Sequence, residues 1–390
     1  MRRFVDELAR RMQVEAFALQ LALGSIVATA SRAGETATLV REVGLPGVNT
    51  SRLRALEALV SGPAEDLRPG ELARRMALIE RTPARYSAGP TSAAVGAACG
   101  AFAFLNGGGF VEIAAAAVGA GCGQAVRSLL LARRGNQYAV HAICALIASA
   151  GYVACAALLV RAGVGAGARH AAGLISSVLF LVPGFPLVAA LLDLFQHEMP
   201  VALSRLVYGL MLCLMVALGL SVTATLVGIS IEQAPPLPLH GAPLAALRSV
   251  ASFTGAVGFA VLFNSSFRNA LCVGLLAIVG NLIRLGLLDA GLQLSLATFA
   301  GALAIGLAAP LARRWVNEPR ISLTVASVVM MVPGVYVFET LVLFDQGEIL
   351  PALRTGVAAG FVFGAMAIGL AVARFLSEAE WAKEQAPPAS

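Results

Sequence analysis

The sequence predicts a mainly α, polytopic membrane protein. About ten transmembrane helices form two inverted five-helix repeats, behind a small N-terminal α+β soluble domain. Three observations lead there. The 390 residues are 58% hydrophobic and 13% charged, with a mean hydropathy of +0.81, and water-soluble domains carry nearly twice that charge fraction. Apolar runs of about 20 residues, the length that crosses the hydrocarbon, recur along the chain. Deep within two of these runs stands the same Val-Pro-Gly, at 182–184 and at 332–334.

The opening "MRRFVDELARRMQ" does not read as a signal peptide, because charges interrupt it and no long apolar stretch follows. Residues 16–41 alternate small or polar with larger apolar residues around Arg32-Ala33-Gly34-Glu35, which predicts a β-hairpin with a Gly-containing turn. "NTSRLRALEALVSG" offers an N-cap at Asn49 or Thr50 and leucines at helical spacing, and "RPGELARRMALIER" fits a second short helix. Residues 1–86 are therefore expected to form the soluble domain, with Pro83 to Pro90 as its exit.

Spans are predicted near 88–105, 110–132, 138–160, 171–193 and 200–229, then 242–263, 269–288, 291–312, 321–344 and 350–374. The first five make a repeat over 87–230 and the second five a repeat over 241–376, leaving 377–390 as a tail. Ten spans put the N-terminal domain, Arg133, Arg134, Arg313, Arg314, Arg320, Arg374 and Lys383 on one side. The positive-inside rule makes that side the cytoplasm, with both termini there, although Arg161 and Arg169 fall outside. Gly96/Gly100, Gly119/Gly123 and Gly360/Gly364 are small-x-x-x-small pairs, read as helix-packing positions.

The repeat is carried by residue matches. At the offset 332 − 182 = 150, Ser177 meets Ser327, Gln196 meets Gln346 and Glu198 meets Glu348. "GAFAFLN" at 100–106 also matches "GFAVLFN" at 258–264 loosely. Five spans is an odd number, so consecutive halves enter the membrane in opposite senses. Pro removes a backbone donor and obstructs the carbonyl four residues back, and in lipid every such group needs a partner. Pro183 lies about twelve residues, or roughly 18 Å, into its span, and Pro333 is equally deep. Paired breaks at corresponding depths point to a transporter's binding site, and N–H groups beyond Gly184 and Gly334 are placed to hold a carboxylate. A Pro kink that only shapes packing is the plainer alternative.

Several chemistries are excluded. The one lysine, Lys383, follows no Gly-rich turn, so there is no Walker A site. The six cysteines lie in apolar stretches without a C-x-x-C pair and read as small buried thiols. His141, His170 and His197 lack ligand spacing, no G-x-S-x-G occurs, and the net charge of +6 reflects topology signals rather than nucleic-acid binding. Neither an enzyme nor a cofactor is expected.

The spans "LVPGFPLVAALLDLFQHEMPVALSRL" and "MMVPGVYVFETLVLFDQGE", with "REVGLPGVNTSRLRALEAL" before the first span, resemble the threonine/serine exporter family of bacterial inner membranes. The resemblance covers nearly the whole chain, with both halves of the family fused. It implies export of threonine and serine by exchange with protons. A split two-subunit branch, associated with dicarboxylate (succinate) export, is similar too. One departure is that family members begin with a further helix bearing a Gly-Ala and Val-Glu pattern, whose end coincides with this chain's start.

Ionisable residues inside spans are costly, so each is a candidate. Glu339 lies six residues, about 9 Å, beyond Pro333, and its repeat partner is Ala189. Asp193 lies ten residues beyond Pro183 and maps to Leu343. Burial favours the neutral carboxyl, which suits a proton carrier. Glu339 is the first choice for proton coupling. Asp193 is the second, with an interfacial pair to Arg205 as its alternative. Arg284 either pairs with Glu339 or holds a substrate carboxylate, and Arg248 either faces the cavity or snorkels. Asn106 and Asn264 match across the halves but are equally explained by helix capping. Pro183, Gly184, Pro333, Gly334, Ser177, Ser327 and Arg284 form the expected substrate site.

The expected function is a secondary exporter of small polar amino acids working by alternating access. The partners are a small-molecule substrate (amino acid or dicarboxylate), protons and membrane lipid, and a homo-oligomer stays open. A dicarboxylate exporter would want Arg248 and Arg284 both facing the cavity. A channel or a ligand sensor is the reading from a different class, and a channel predicts a continuous polar path.

Overall fold

The computed structural model describes residues 2–12, 14–22, 24–44, 47–62, 69–164, 170–228 and 239–378. Arg169, Lys383 and nearly all of the predicted tail lie outside the described residues. The N-terminal domain comprises helix α1 (Arg2–Arg11), strands β1 (Ala16–Leu21), β2 (Ser25–Arg32) and β3 (Glu35–Glu42), and helices α2 (Thr50–Ser61) and α3 (Pro69–Arg81). The strands form an antiparallel sheet in the order β1-β2-β3. The predicted turn is present: Ala33 and Gly34 both have positive φ, at 53° and 80°, the pattern of a type I′ hairpin. The expected hairpin has a third strand, because the run from Ala16 to Arg32 exceeds the usual five or six residues and breaks ahead of Ser25. Asn49 caps α2, accepting from the Arg52 N–H at 3.0 Å.

The membrane region begins with α4 (Ala88–Leu105), α5 (Phe110–Ala132) and α6 (Gln137–Arg161). Then come α7 (His170–Val178), α8 (Gly184–Leu194) and α9 (Met199–Val227). The second half repeats the order with α10 (Gly241–Leu262), α11 (Phe267–Asp289) and α12 (Leu294–Val316), then α13 (Arg320–Val328), α14 (Gly334–Asp345) and α15 (Ile349–Ser377). Among the described residues, eight helices are long and apolar enough to cross a membrane. The pairs α7–α8 and α13–α14 are bent by 65° and 51° at their breaks, and counting each pair as one span gives ten. The predicted span at 291–312 is displaced to Leu294–Val316. Gly291 (φ +86°) takes the left-handed conformation that ends α11, and Asn317 (φ 46°) does the same for α12.

Small residues set the helix approaches. A Cβ on Gly96 would sit 2.6 Å from the Ala117 carbonyl oxygen, and one on Gly100 would sit 3.0 Å from that of Ile113, so α4 and α5 pack backbone to backbone. Gly360 and Gly364 differ: nothing lies within 4 Å of the Cβ either would carry. They line an open apolar groove beside Leu296 and Phe299 instead of a helix crossing. The thiols differ in part as well, since Cys99, Cys144 and Cys213 are buried but Cys122 is exposed.

The N-terminal domain docks on the loops that follow α10 and α12. The Thr50 and Ser265 hydroxyls lie 2.8 Å apart, and the Tyr86 hydroxyl donates to the Ser265 carbonyl at 2.9 Å. Asn264 accepts from the Arg85 N–H at 2.7 Å and donates to Asn49 at 3.0 Å, which is a docking role rather than simple capping. Arg54 pairs with Glu318 at 3.3 Å, and Arg313 with Glu57 at 2.8 Å. Arg320 pairs with Glu378 at 2.9 Å. The entry of α4, the exit of α10, the entries of α11 and α13 and the exit of α15 are thus gathered at one end.

Candidate functional site

The two breaks are built alike. A 3-10 turn, Leu179–Leu181 or Val329–Met331, tightens the end of the first helix. Pro183 (φ −76°, ψ 56°) and Pro333 (φ −78°, ψ 49°) then adopt the inverse γ-turn. In it, the Gly184 N–H donates to the Val182 carbonyl and the Gly334 N–H to that of Val332, both at 2.8 Å. The glycine N–H groups are therefore occupied. The donors without an intrahelical acceptor are those that follow, Val335 and Tyr336 in α14 but only Phe185 in α8, because Pro186 has no N–H.

The breaks also touch each other. The Cβ that Gly184 lacks would lie 3.2 Å from Val332 Cγ2. The one that Gly334 lacks would lie 3.6 Å from Val182 Cγ2 and would collide with Leu179. Residue 184 meets 332 as 334 meets 182, so the contact is self-complementary under the 150-residue offset. Both glycines are buried.

A cavity of about 50 Å³ opens beside the second break, lined by Pro333, Val335, Tyr336, Arg284, Asn281 and Asn106, with Leu179 from the first. Arg284 donates from Nε to the Thr298 hydroxyl at 3.1 Å and from Nη1 to Asn281 Oδ1 at 3.5 Å. Asn281 is held in turn by Ser252 at 2.7 Å. These partners are neutral. Among the described residues no carboxylate pairs with Arg284, although an unpaired cation at this depth is expensive. Glu339, half-buried on α14, has no hydrogen-bond or ion-pair partner among the described residues either. Tyr336, which also lines the cavity, lies about one helical turn before it. Among the described residues a cation in the cavity wall and an anion one turn beyond its tyrosine thus stand without a countercharge.

The other sequence candidates are placed elsewhere. Ser177 donates to the Leu174 carbonyl at 2.7 Å, and Ser327 to those of Leu323 at 2.7 Å and Val273 at 3.1 Å; both are fully buried and neither lines the cavity. Gly184 and Gly334 form the contact between the breaks rather than the cavity wall, and Pro183 lies outside that wall too, with its Cγ 3.6 Å from where a Cβ on Gly209 would sit. Asp193 is ion-paired with Arg205, and Arg248 with Asp289 near the opposite end of the bundle from the docked domain. No group of three or more metal-ligating side chains occurs among the described residues.

Sequence reasoning missed Arg127. At the offset 284 − 127 = 157, "GQAVRSLLL" (123–131) overlies "GNLIRLGLL" (280–288), so Gln124 matches Asn281 and Arg127 matches Arg284. His141 matches Thr298 at the same offset. The offset of 150 that revealed the breaks hides this match, because the loops after α6 and α12 differ in length. Tyr336, which lines the cavity, was missed as well, since cavity lining depends on which helices meet there.

The model described as "Putative threonine/serine exporter" matches residues 2–227, and the one described as "Threonine/Serine exporter, ThrE" matches residues 248–376. An "Uncharacterized protein" of Haemophilus influenzae is 29% identical over 126 residues, covering 30% of this chain and 42% of that relative. The chain therefore spans less than half of that relative's length. No solved structure matches the chain.

Proposed function

This chain belongs to the threonine/serine exporter family, and from that premise we propose that it exports small polar amino acids by proton antiport. Alternating access around the paired Pro-Gly breaks would move the substrate, and the two halves act as an inverted repeat. The gathering of α4's entry and α10's exit at one end supports that inversion, since the two helices are repeat mates. The side with the docked domain and the arginines Arg313, Arg314, Arg320 and Arg374 is the cytoplasmic one, in a bacterial inner membrane.

One observation carries the substrate reading: among the described residues neither Arg284, which lines the cavity beside the Pro333 break, nor Glu339, on the helix that this break opens, has a countercharge. An α-amino acid carries one anion and one cation and matches such a pair. Its carboxylate binds Arg284 and the α14 N–H groups, and its ammonium binds Glu339, which takes up a proton in exchange. A dicarboxylate would need a second cation there, but Arg248 is held by Asp289. The cavity is well below the roughly 300 Å³ of small-ligand pockets, so substrate entry requires the breaks to separate. That favours an exchanger over a channel with a continuous polar path.

The test is purified protein in proteoliposomes with an imposed pH gradient and labelled threonine, serine or succinate. Gradient-driven uptake of threonine or serine above succinate supports the proposal. Passage of many solutes without a gradient removes it.

A further inference from the structure

We propose that Arg127, with Gln124 and His141, forms a second carboxylate-binding station on the side of the bundle where the N-terminal domain docks. This deepens the transport reading and rests on it. The station is the counterpart of the Arg284 site, and its contacts repeat. Arg127 donates from Nη1 to Gln124 Oε1 at 3.4 Å, as Arg284 does to Asn281 at 3.5 Å. His141 Nδ1 lies 2.7 Å from the Gln137 carbonyl, as the Thr298 hydroxyl lies 2.7 Å from that of Leu294.

The copies differ where a ligand would bind. Arg284 gives its Nε hydrogen to Thr298. In the first half that place belongs to His141, which is turned to its own helix carbonyl, and Arg127 Nε is buried with no acceptor. A buried guanidinium donor without an acceptor is costly, and more so in a membrane. No carboxylate of the described residues supplies one. The planar fork of arginine fits a carboxylate in two parallel hydrogen bonds, so a substrate carboxylate is the acceptor that suits it.

Connectivity separates the two stations. Helix α4 enters at the docking end, so α5 returns to that end, and Arg127 lies five residues, about 7.5 Å, before its last residue. Helix α11 starts at the docking end, where Ser266 bonds Glu318, so Arg284 lies the same distance from the opposite end. Ala189 stands where the second half has Glu339, so under this repeat match the Arg127 station has no counterpart of the Glu339 carboxylate to hold an ammonium group. It would take the carboxylate alone, as a docking point on one face of the membrane.

The test measures half-saturating concentrations of labelled threonine, serine and succinate, presented to either face of oriented vesicles. The proteins are wild type, Arg127→Gln, Arg127→Lys and Arg284→Gln. Arg127→Gln is expected to raise the value about tenfold or more at the domain-docked face and to change it little at the other. Arg127→Lys, which keeps the charge but loses the fork, falls between. Arg284→Gln, at the main site, raises it at both faces. An equal loss at both faces for Arg127→Gln makes the residue structural and overturns the station, as does no change. Wild-type protein that moves none of the three solutes overturns the transport reading together with the station. An active wild type with a symmetric Arg127 effect overturns the station alone.

Discussion

Gly334 opens α14 directly against Leu179, the first residue of the tight turn that ends α7 in the other broken pair. A methyl group there collides with a leucine side chain held in a buried interface, whereas one on Gly184 meets Val332 Cγ2 at 3.2 Å. Overpacking of this kind costs about 1–3 kcal/mol. Gly334→Ala is therefore expected to lower the thermal unfolding temperature in detergent more than Gly184→Ala does. Adding Leu179→Ala should restore part of the loss, because the two positions share one contact. Strictly additive losses would show that the breaks do not press on each other.

Glu339 lies on the helix that the second break opens, about one turn beyond the cavity-lining Tyr336, and nothing among the described residues pairs with it. Glu339→Gln keeps the shape and removes the exchangeable charge. Proton-driven uptake into proteoliposomes should fall to background, while exchange between identical substrates persists. A variant whose uptake keeps the wild-type pH dependence would clear Glu339 of the coupling role.

Arg248 bears on substrate class. It is spent on Asp289, whose side chain is 55% exposed, and an exposed pair of this type contributes about 0–1 kcal/mol. Arg248→Gln should leave threonine and succinate transport within about twofold of wild type, on the small scale of that exposed pair. A selective loss of succinate transport would favour the dicarboxylate reading.

Glu318 makes domain docking pH-sensitive. It lies in the loop between α12 and α13, nearly inaccessible at 2%, held by Arg54 and by Ser266 at 3.0 Å. Burial raises its pKa above the ordinary 4.5, against the opposing pull of Ser266 and Arg54. Between 4.5 and the raised value the folded chain holds a proton that the unfolded chain has released. Stability from this group is therefore full below 4.5 and is lost as pH rises through that window. Thermal denaturation across the window should show the decline in wild type and not in Glu318→Gln. Glu318→Ala should destabilise at all pH values, because it leaves Ser266 and Arg54 without their acceptor.

Much of the architecture was legible in the residues. Span boundaries near 88–105 and 110–132 emerge unchanged, because apolar length and the turn-forming Asn-Gly run between them are local properties. The two breaks were legible for the same reason: Pro denies a donor wherever the chain goes. Arg248 and Arg284, by contrast, look alike in sequence, and so do Asp193 and Glu339. Which of each pair finds a countercharge depends on a residue from another helix, and no local pattern encodes that. Arg127 was hidden by a loop-length change rather than by chemistry.

The sequence by itself determined a chain of long apolar helices whose main chain breaks twice at Val-Pro-Gly, since hydropathy and backbone donors are set residue by residue. Only the tertiary structure decided that the breaks press against one another, that their glycine N–H groups are already used, and that Arg284 and Glu339 meet no countercharge among the described residues. Those outcomes depend on distances between helices, and packing alone sets them.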